Sequence, residues 1–135
     1  AQRVELHRRV WHPSRVTLQS YTEMRQVVGY DPELDLVMEA PDGTFAAYCV
    51  CWIDQQNGLG LFEPVGTHPD FRQQGLGKAL LTEGLRRLHA RGAGTALVTT
   101  GGSNAAARRL YEGVGFSVLH HSHDFVREIH PPKLA

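Results

Sequence analysis

One arginine, two glycines and a lysine stand close together in residues 63–81, EPVGTHPDFRQQGLGKALL, and their order suits the binding of an anion. The run passes from a strand pattern through a glycine-bearing loop into a helix pattern, so its amides collect where the helix begins. There the orphan N–H groups and the positive end of the helix dipole point the same way. Gly75 and Gly77 let the backbone approach a phosphate, and Arg72 and Lys78 flank it as full charges. Two common phosphate loops are excluded. A Walker A loop needs glycine and Ser/Thr where Arg72 and Ala79 stand, and a dinucleotide fingerprint needs a third glycine where Leu80 stands.

What does fit is Arg72-x-x-Gly75-x-Gly77 opening a helix after a strand. This resembles the acetyl-CoA pyrophosphate loop of the GNAT family of N-acetyltransferases. A second stretch matches the family's other signature: Asn104, Ala107, Leu110 and Tyr111, followed by Gly113, Gly115 and Phe116. The resemblance covers roughly residues 34–125 and implies an α/β fold with a mixed, mostly antiparallel sheet and helices on both faces. It also implies acetyl-CoA as cosubstrate and an acetyl transfer to a primary amine. Backbone groups of Val65 and Thr67 would bond the pantetheine arm. Arg72 and the loop Gln73, Gln74, Gly75, Leu76, Gly77 and Lys78 would hold the pyrophosphate. Asn104 would contact the CoA arm, and the phenol of Tyr111 would lie near the sulfur.

Acetyl transfer needs a deprotonated amine, a polarised carbonyl and a proton for the leaving thiolate. By the resemblance Tyr111 is the general acid, since a phenol of pKa about 10 is protonated at neutral pH and can donate to a thiolate of pKa about 8.5. Glu63 alternates with Leu59, Leu61 and Val65, so its carboxylate is expected among apolar neighbours, where burial favours a base. It is the candidate base, with binding of the substrate ammonium as the other role open to it. His68 is an alternative base, although packing before Pro69 explains it more simply. Arg108 and Arg109 could reach a CoA 3'-phosphate, although a solvated helix face explains them more simply. Neither cysteine stands at a nucleophile position, so the amine attacks directly in a ternary complex.

The elements that must position these groups follow from periodicity. Residues 1–12 read as a helix, and a second runs from an N-cap at Thr17 to Val28, with Gly29 as its stop. Residues 34–39 alternate as a half-exposed strand, and 45–53 are apolar on both sets, as in a central strand. Asn57-Gly58 turns the chain into the strand carrying Glu63, where Pro64 removes a ladder donor and Gly66 tolerates a bulge. A helix over 75–91, a parallel strand over 95–100 and a helix over 104–112 follow. Residues 116–119 and 124–129 read as two closing strands. The whole is expected to form one domain over residues 1–135: a helical substrate-side segment at 1–32, antiparallel strands at 34–68, the acetyl-CoA-binding core at 69–116 and closing strands at 117–130. The family's fold opens with a strand that has no counterpart before Ala1, so the chain reads either as a fragment or C-terminal half of a longer protein, or as a trimmed start.

With 135 residues, 41% hydrophobic and 21% charged, the composition is that of a globular protein. A formal net charge of zero gives no global field for nucleic acid or an anionic membrane. Cys49 and Cys51 point to one face of a strand and read as buried reduced thiols, which places the protein in the cytoplasm. His120, His121, His123 and His130 cluster without a completing Cys or carboxylate pattern, so no metal is expected. The acceptor, a small molecule or a peptide amine, is not legible, and a homodimer or an upstream domain of the same chain stays open. A non-catalytic acyl-CoA-binding or regulatory domain is the competing reading, and a structural interaction module the third.

Overall fold

The computed structural model describes residues 1–131; the last four positions of the expected domain lie outside them. Four strands, β1 (Asp35–Glu39), β2 (Phe45–Asp54), β3 (Leu59–Thr67) and β4 (Thr95–Val98), form one sheet in the order β1-β2-β3-β4. The first three are antiparallel neighbours and β4 runs parallel to β3. Helices α1 (Gln2–Val10) and α2 (Leu18–Met24) precede the sheet, and α3 (Leu76–Ala90) and α4 (Ala105–Val114) flank β4 in the chain.

β2 is covered on both faces, as its unbroken apolar run requires. Alternate residues divide between two layers. Tyr48 faces α1, whose His7 ring lies 5.8 Å from its own, while Cys49 and Cys51 join Phe62, Leu80, Leu81 and Leu88 in the core beneath α3. The second helix is shorter than expected. Thr17 caps it through a reciprocal box with Ser20, but it ends at Met24, and residues 25–29 turn toward Gly29, whose φ is +96°. β-branched Val27 and Val28 do not carry the helix on, and both are exposed.

Gly84 brings α3 closer to β3 than a side chain would allow. A Cβ on Gly84 of α3 would run into the ring of Phe62 and lie 3.1 Å from Cys51 Sγ. A helical Gly→Ala change ordinarily gains about 1 kcal/mol. Overpacking a dense core costs about 1–3 kcal/mol, and here Phe62 is itself fixed against Phe116. Gly84→Ala should therefore lower the urea midpoint; a raised midpoint would mean that the ring yields freely.

The closing strands are not found. Residues 117–131 have no regular structure, and Val118, Leu119, Phe125, Val126 and Ile129 are exposed. The alternation that suggested strands is interrupted by His120, His121, Ser122 and His123, which have no apolar face to bury, and a two-stranded hairpin alone is marginal.

Candidate active site

β3 is paired on both sides only along its first half. Its parallel pairing with β4 runs from Leu59 opposite Thr95 to Phe62 opposite Val98 and stops there, whereas its pairing with β2 continues to Thr67 opposite Ala47. Between Phe62 and Val65 the strand bulges, because Glu63 and Pro64 together oppose Val50 alone. Beyond the bulge the His68 N–H donates to the Ala46 carbonyl at 2.8 Å. Antiparallel ladders alternate, so Gly66 turns its backbone groups to Tyr48, and Val65 and Thr67 direct theirs to the opened side. There the Thr67 carbonyl accepts Arg72 Nε at 3.4 Å. Beyond Phe62, β3 thus presents an edge that β4 does not pair.

The bulge corrects the reading of Glu63. A regular alternation would bury it with Leu61 and Val65, but the extra residue moves Val65 to the core side, and Glu63 is exposed. The burial expected of its carboxylate is not found. Its carbonyl accepts the Trp52 indole N–H at 2.8 Å, which pins the bulge to β2. Gly66 is not the bulge residue either: a Cβ there would meet Val10 Cγ1 at 2.6 Å and Tyr48 at 3.0 Å, so it admits α1.

After β3 the chain makes a short 3-10 turn, Pro69–Phe71, and an exposed loop leading into α3. His68 Nδ1 accepts the Asp70 N–H at 3.1 Å and its ring packs edge-on to Phe71, so its free lone pair is spent on the turn. Gln73 and Gly75 both take positive φ, +61° and +77°. Gln73 is the feature sequence reasoning missed, since nothing in a glutamine signals the left-handed region. Gly75 is the N-cap of α3 and offers no side-chain cap, and the first helical bond runs from the Ala79 N–H to its carbonyl at 3.1 Å. The N–H groups of Leu76, Gly77 and Lys78 therefore have no intrahelical acceptor. Gly77 has a packing reason as well, because a Cβ would lie 2.9 Å from Leu110 of α4.

Asn104 caps α4: its side chain accepts the Ala107 N–H at 3.1 Å and leaves its own NH₂ to the exterior. Tyr111, seven residues on, is half-buried with its ring edge-on to Phe116 at 6.1 Å. Its hydroxyl has no protein partner among the described residues, yet none of their buried polar side-chain atoms lacks one, so the hydroxyl is open at the surface. Burial pushes its pKa up from the ordinary phenol value, with Cys49 as a lesser cause. Cys49 and Cys51 are buried and free, with sulfurs 4.0 Å apart, and the thiol of Cys49 is itself pushed up by its bond to Cys51 and by burial. Tyr111 and Cys49 are therefore both neutral near pH 7, and for Tyr111 burial is the cause that counts. Arg108 pairs with Glu112 at 3.7 Å along α4. The four C-terminal histidines lie in the exposed segment, and no group of three His, Cys, Asp or Glu among the described residues could hold a metal ion. No described helix is long and apolar enough to cross a membrane.

The fold that holds this parted strand pair beside a helix start rich in free amides is similar to those of solved acetyltransferases. AAC(6')-Iy, solved in complex with the bisubstrate analogue CoA-S-monomethyl-acetylneamine, superposes with a TM-score of 0.75 at 20% identity over 95% of this chain and 90% of that one. The ribosomal-protein-S18-alanine N-acetyltransferase of Escherichia coli gives 0.66 at 26% identity, over 86% and 70%. Residues 3–116 match the model of the acetyltransferase (GNAT) family, and the chain belongs to that family. It is 44% identical over 88 residues to a mycothiol acetyltransferase of Kineococcus radiotolerans, covering 65% of this chain and 28% of that protein. It is 43% identical over 76 residues to the [ribosomal protein bS18]-alanine N-acetyltransferase of Escherichia coli, covering 56% and 50%. The chain thus spans half or less of the length of these relatives.

Proposed function

We propose that the chain is an N-acetyltransferase that carries an acetyl group from acetyl-CoA to a primary amine by direct attack in a ternary complex. The observation that carries this reading is the opened half of β3 leading straight into the uncapped start of α3. The backbone groups of Val65 and Thr67 bond the pantetheine arm along that edge, and Arg72 leaves the Thr67 carbonyl to meet phosphate. Gln73 and Gln74 shape the loop, and the amides of Gly75, Leu76, Gly77 and Lys78 hold the pyrophosphate. The exterior NH₂ of Asn104 faces the arm. Glu63, exposed at the bulge, takes the proton of the amine directly or through water, and Tyr111 protonates the departing thiolate. The relatives' names and the CoA portion of the neighbour's analogue support the cosubstrate. Buried reduced thiols suit the cytoplasm.

Calorimetric titration of acetyl-CoA, followed by an assay of free thiol released in the presence of amines, tests the proposal. Micromolar binding is expected, with thiol release that depends on an amine and falls about 10²-fold or more in Glu63→Gln. Binding with no release from any amine would favour an acyl-CoA-binding domain instead, and no binding would sink both.

A further inference from the structure

On the α1 side of the bulge lies a shallow, open cavity of about 570 Å³, lined by α1, the loop that follows it and Pro64. Its walls are held in place without a ligand. Arg8 Nε donates to the Val16 carbonyl at 2.8 Å, Ser14 Oγ accepts the Val16 N–H at 3.2 Å, and the Thr17–Ser20 box closes the far end. The lining includes no carboxylate, and its one full charge is Arg15.

His7 is the polar group whose chemistry the surroundings determine. The hydroxyl of Tyr48, a fully buried residue, lies 2.7 Å from the Trp11 indole nitrogen and 2.8 Å from His7 Nδ1. An indole N–H can only donate, so the Tyr48 oxygen accepts from Trp11 and its own proton needs an acceptor. His7 Nδ1 is the partner in reach, which leaves the ring proton on Nε2. Burial, and secondarily the charge of Arg3, lower the pKa of His7 and keep the ring neutral. Among the described residues Nε2 has no partner, yet none of their buried polar side-chain atoms is unsatisfied, so its N–H is accessible from the cavity that His7 lines. The site therefore presents a fixed donor rather than a base.

We propose that this cavity seats the acceptor and that His7 Nε2–H, with Arg15 beyond it, bonds an oxygen carried next to the reacting amine, so that the acceptor is an α-aminoacyl group such as a free peptide N-terminus. The amine then lies at the Glu63–Pro64 end and the neighbouring carbonyl points at the donors. A lysine side chain carries no oxygen close to its amine. A polycationic aminosugar would meet Arg15 with no carboxylate in the lining to offset it.

This rests on the acetyltransferase reading, and the experiment separates the two. Steady-state kinetics with acetyl-CoA are compared for an alanyl peptide and for n-butylamine, in the unaltered chain, His7→Leu and His7→Gln. The alanyl peptide is expected to be the better substrate. Its KM should rise about tenfold in His7→Leu with kcat little changed, and return in His7→Gln, which restores an N–H at similar reach. The KM for n-butylamine and the calorimetric affinity for acetyl-CoA should not move. Equal losses for both amines, an unmoved peptide KM, or no preference for the peptide would overturn the assignment of His7 and of the acceptor. Acetyl-CoA binding with the peptide unused would overturn this proposal alone, whereas failure to bind acetyl-CoA would remove the acetyltransferase reading with it.

Discussion

Gly75→Glu should weaken acetyl-CoA binding by about a hundredfold while leaving the fold in place. The glycine sits at φ +77° as the N-cap of α3, and a Cβ built on it meets no atom within 4 Å. The new side chain has room, but in the space where the free amides of the helix start aim. Two terms add. Left-handed backbone costs a non-glycine residue about 1–2 kcal/mol, and a carboxylate set against a phosphate costs about 1–4 kcal/mol at 4 Å, depending on solvent exposure. Their sum, about 2–6 kcal/mol, spans the 2.7 kcal/mol that corresponds to about a hundredfold. Gly75→Ala carries the first term only, so calorimetry on the pair divides strain from repulsion, with thermal melts as a check on folding. Equal affinities for Glu and Ala variants would place the anion elsewhere. Gly77 is a poorer probe, because its substitution also strikes Leu110 and would disturb the contact between α3 and α4.

The loop could be read in the sequence because its chemistry is local. Glycines, an arginine and a helix start within a dozen residues suffice to propose an anion site. The central strand was equally plain, since nothing but a doubly covered position explains nine consecutive mainly apolar residues at 45–53. The fate of Glu63 was not legible in the same way. Whether it is buried depends on one extra residue between two paired positions, and that is decided by how β3 meets β2, including the bond from the Trp52 indole. Pro64 hinted at an irregularity but not at which side of it Glu63 would fall.

Gly66 misled for a related reason: it reads as a residue that tolerates a bulge, and it is needed because Val10 of a distant segment lies against it, just as Leu110 lies against Gly77 and Phe62 against Gly84. Only Gly75 combines a positive φ in the loop with open surroundings. The pair of His7 and Tyr48 is forty-one residues apart in the chain, and neither belongs to a motif. The geometry that makes His7 a donor appears only once α1 packs on β2. The closing segment fails in the opposite sense: its strand pattern is present locally, but in this structure no sheet edge takes it up.

Replacing Tyr111 with phenylalanine should lower kcat by about 10²-fold with little change in the affinity for acetyl-CoA, since a general acid typically contributes 10²–10⁴. The ring that packs on Phe116 is retained, so the core is not opened, and the hydroxyl removed has no partner among the described residues to strand. The pH dependence separates this role from a structural one. Because burial raises the phenol above its ordinary value of about 10, the proton stays on Tyr111 throughout pH 7–9. Over that range activity rises only as the amine loses its proton, and the ratio of the two enzymes' kcat values should stay constant. The limb set by Tyr111 lies above pH 10, where deprotonation leaves no acid for the thiolate. A kcat that survives the substitution would reduce Tyr111 to a packing residue. A ratio that shrinks toward pH 9 would mean that a group titrating below the phenol delivers the proton instead.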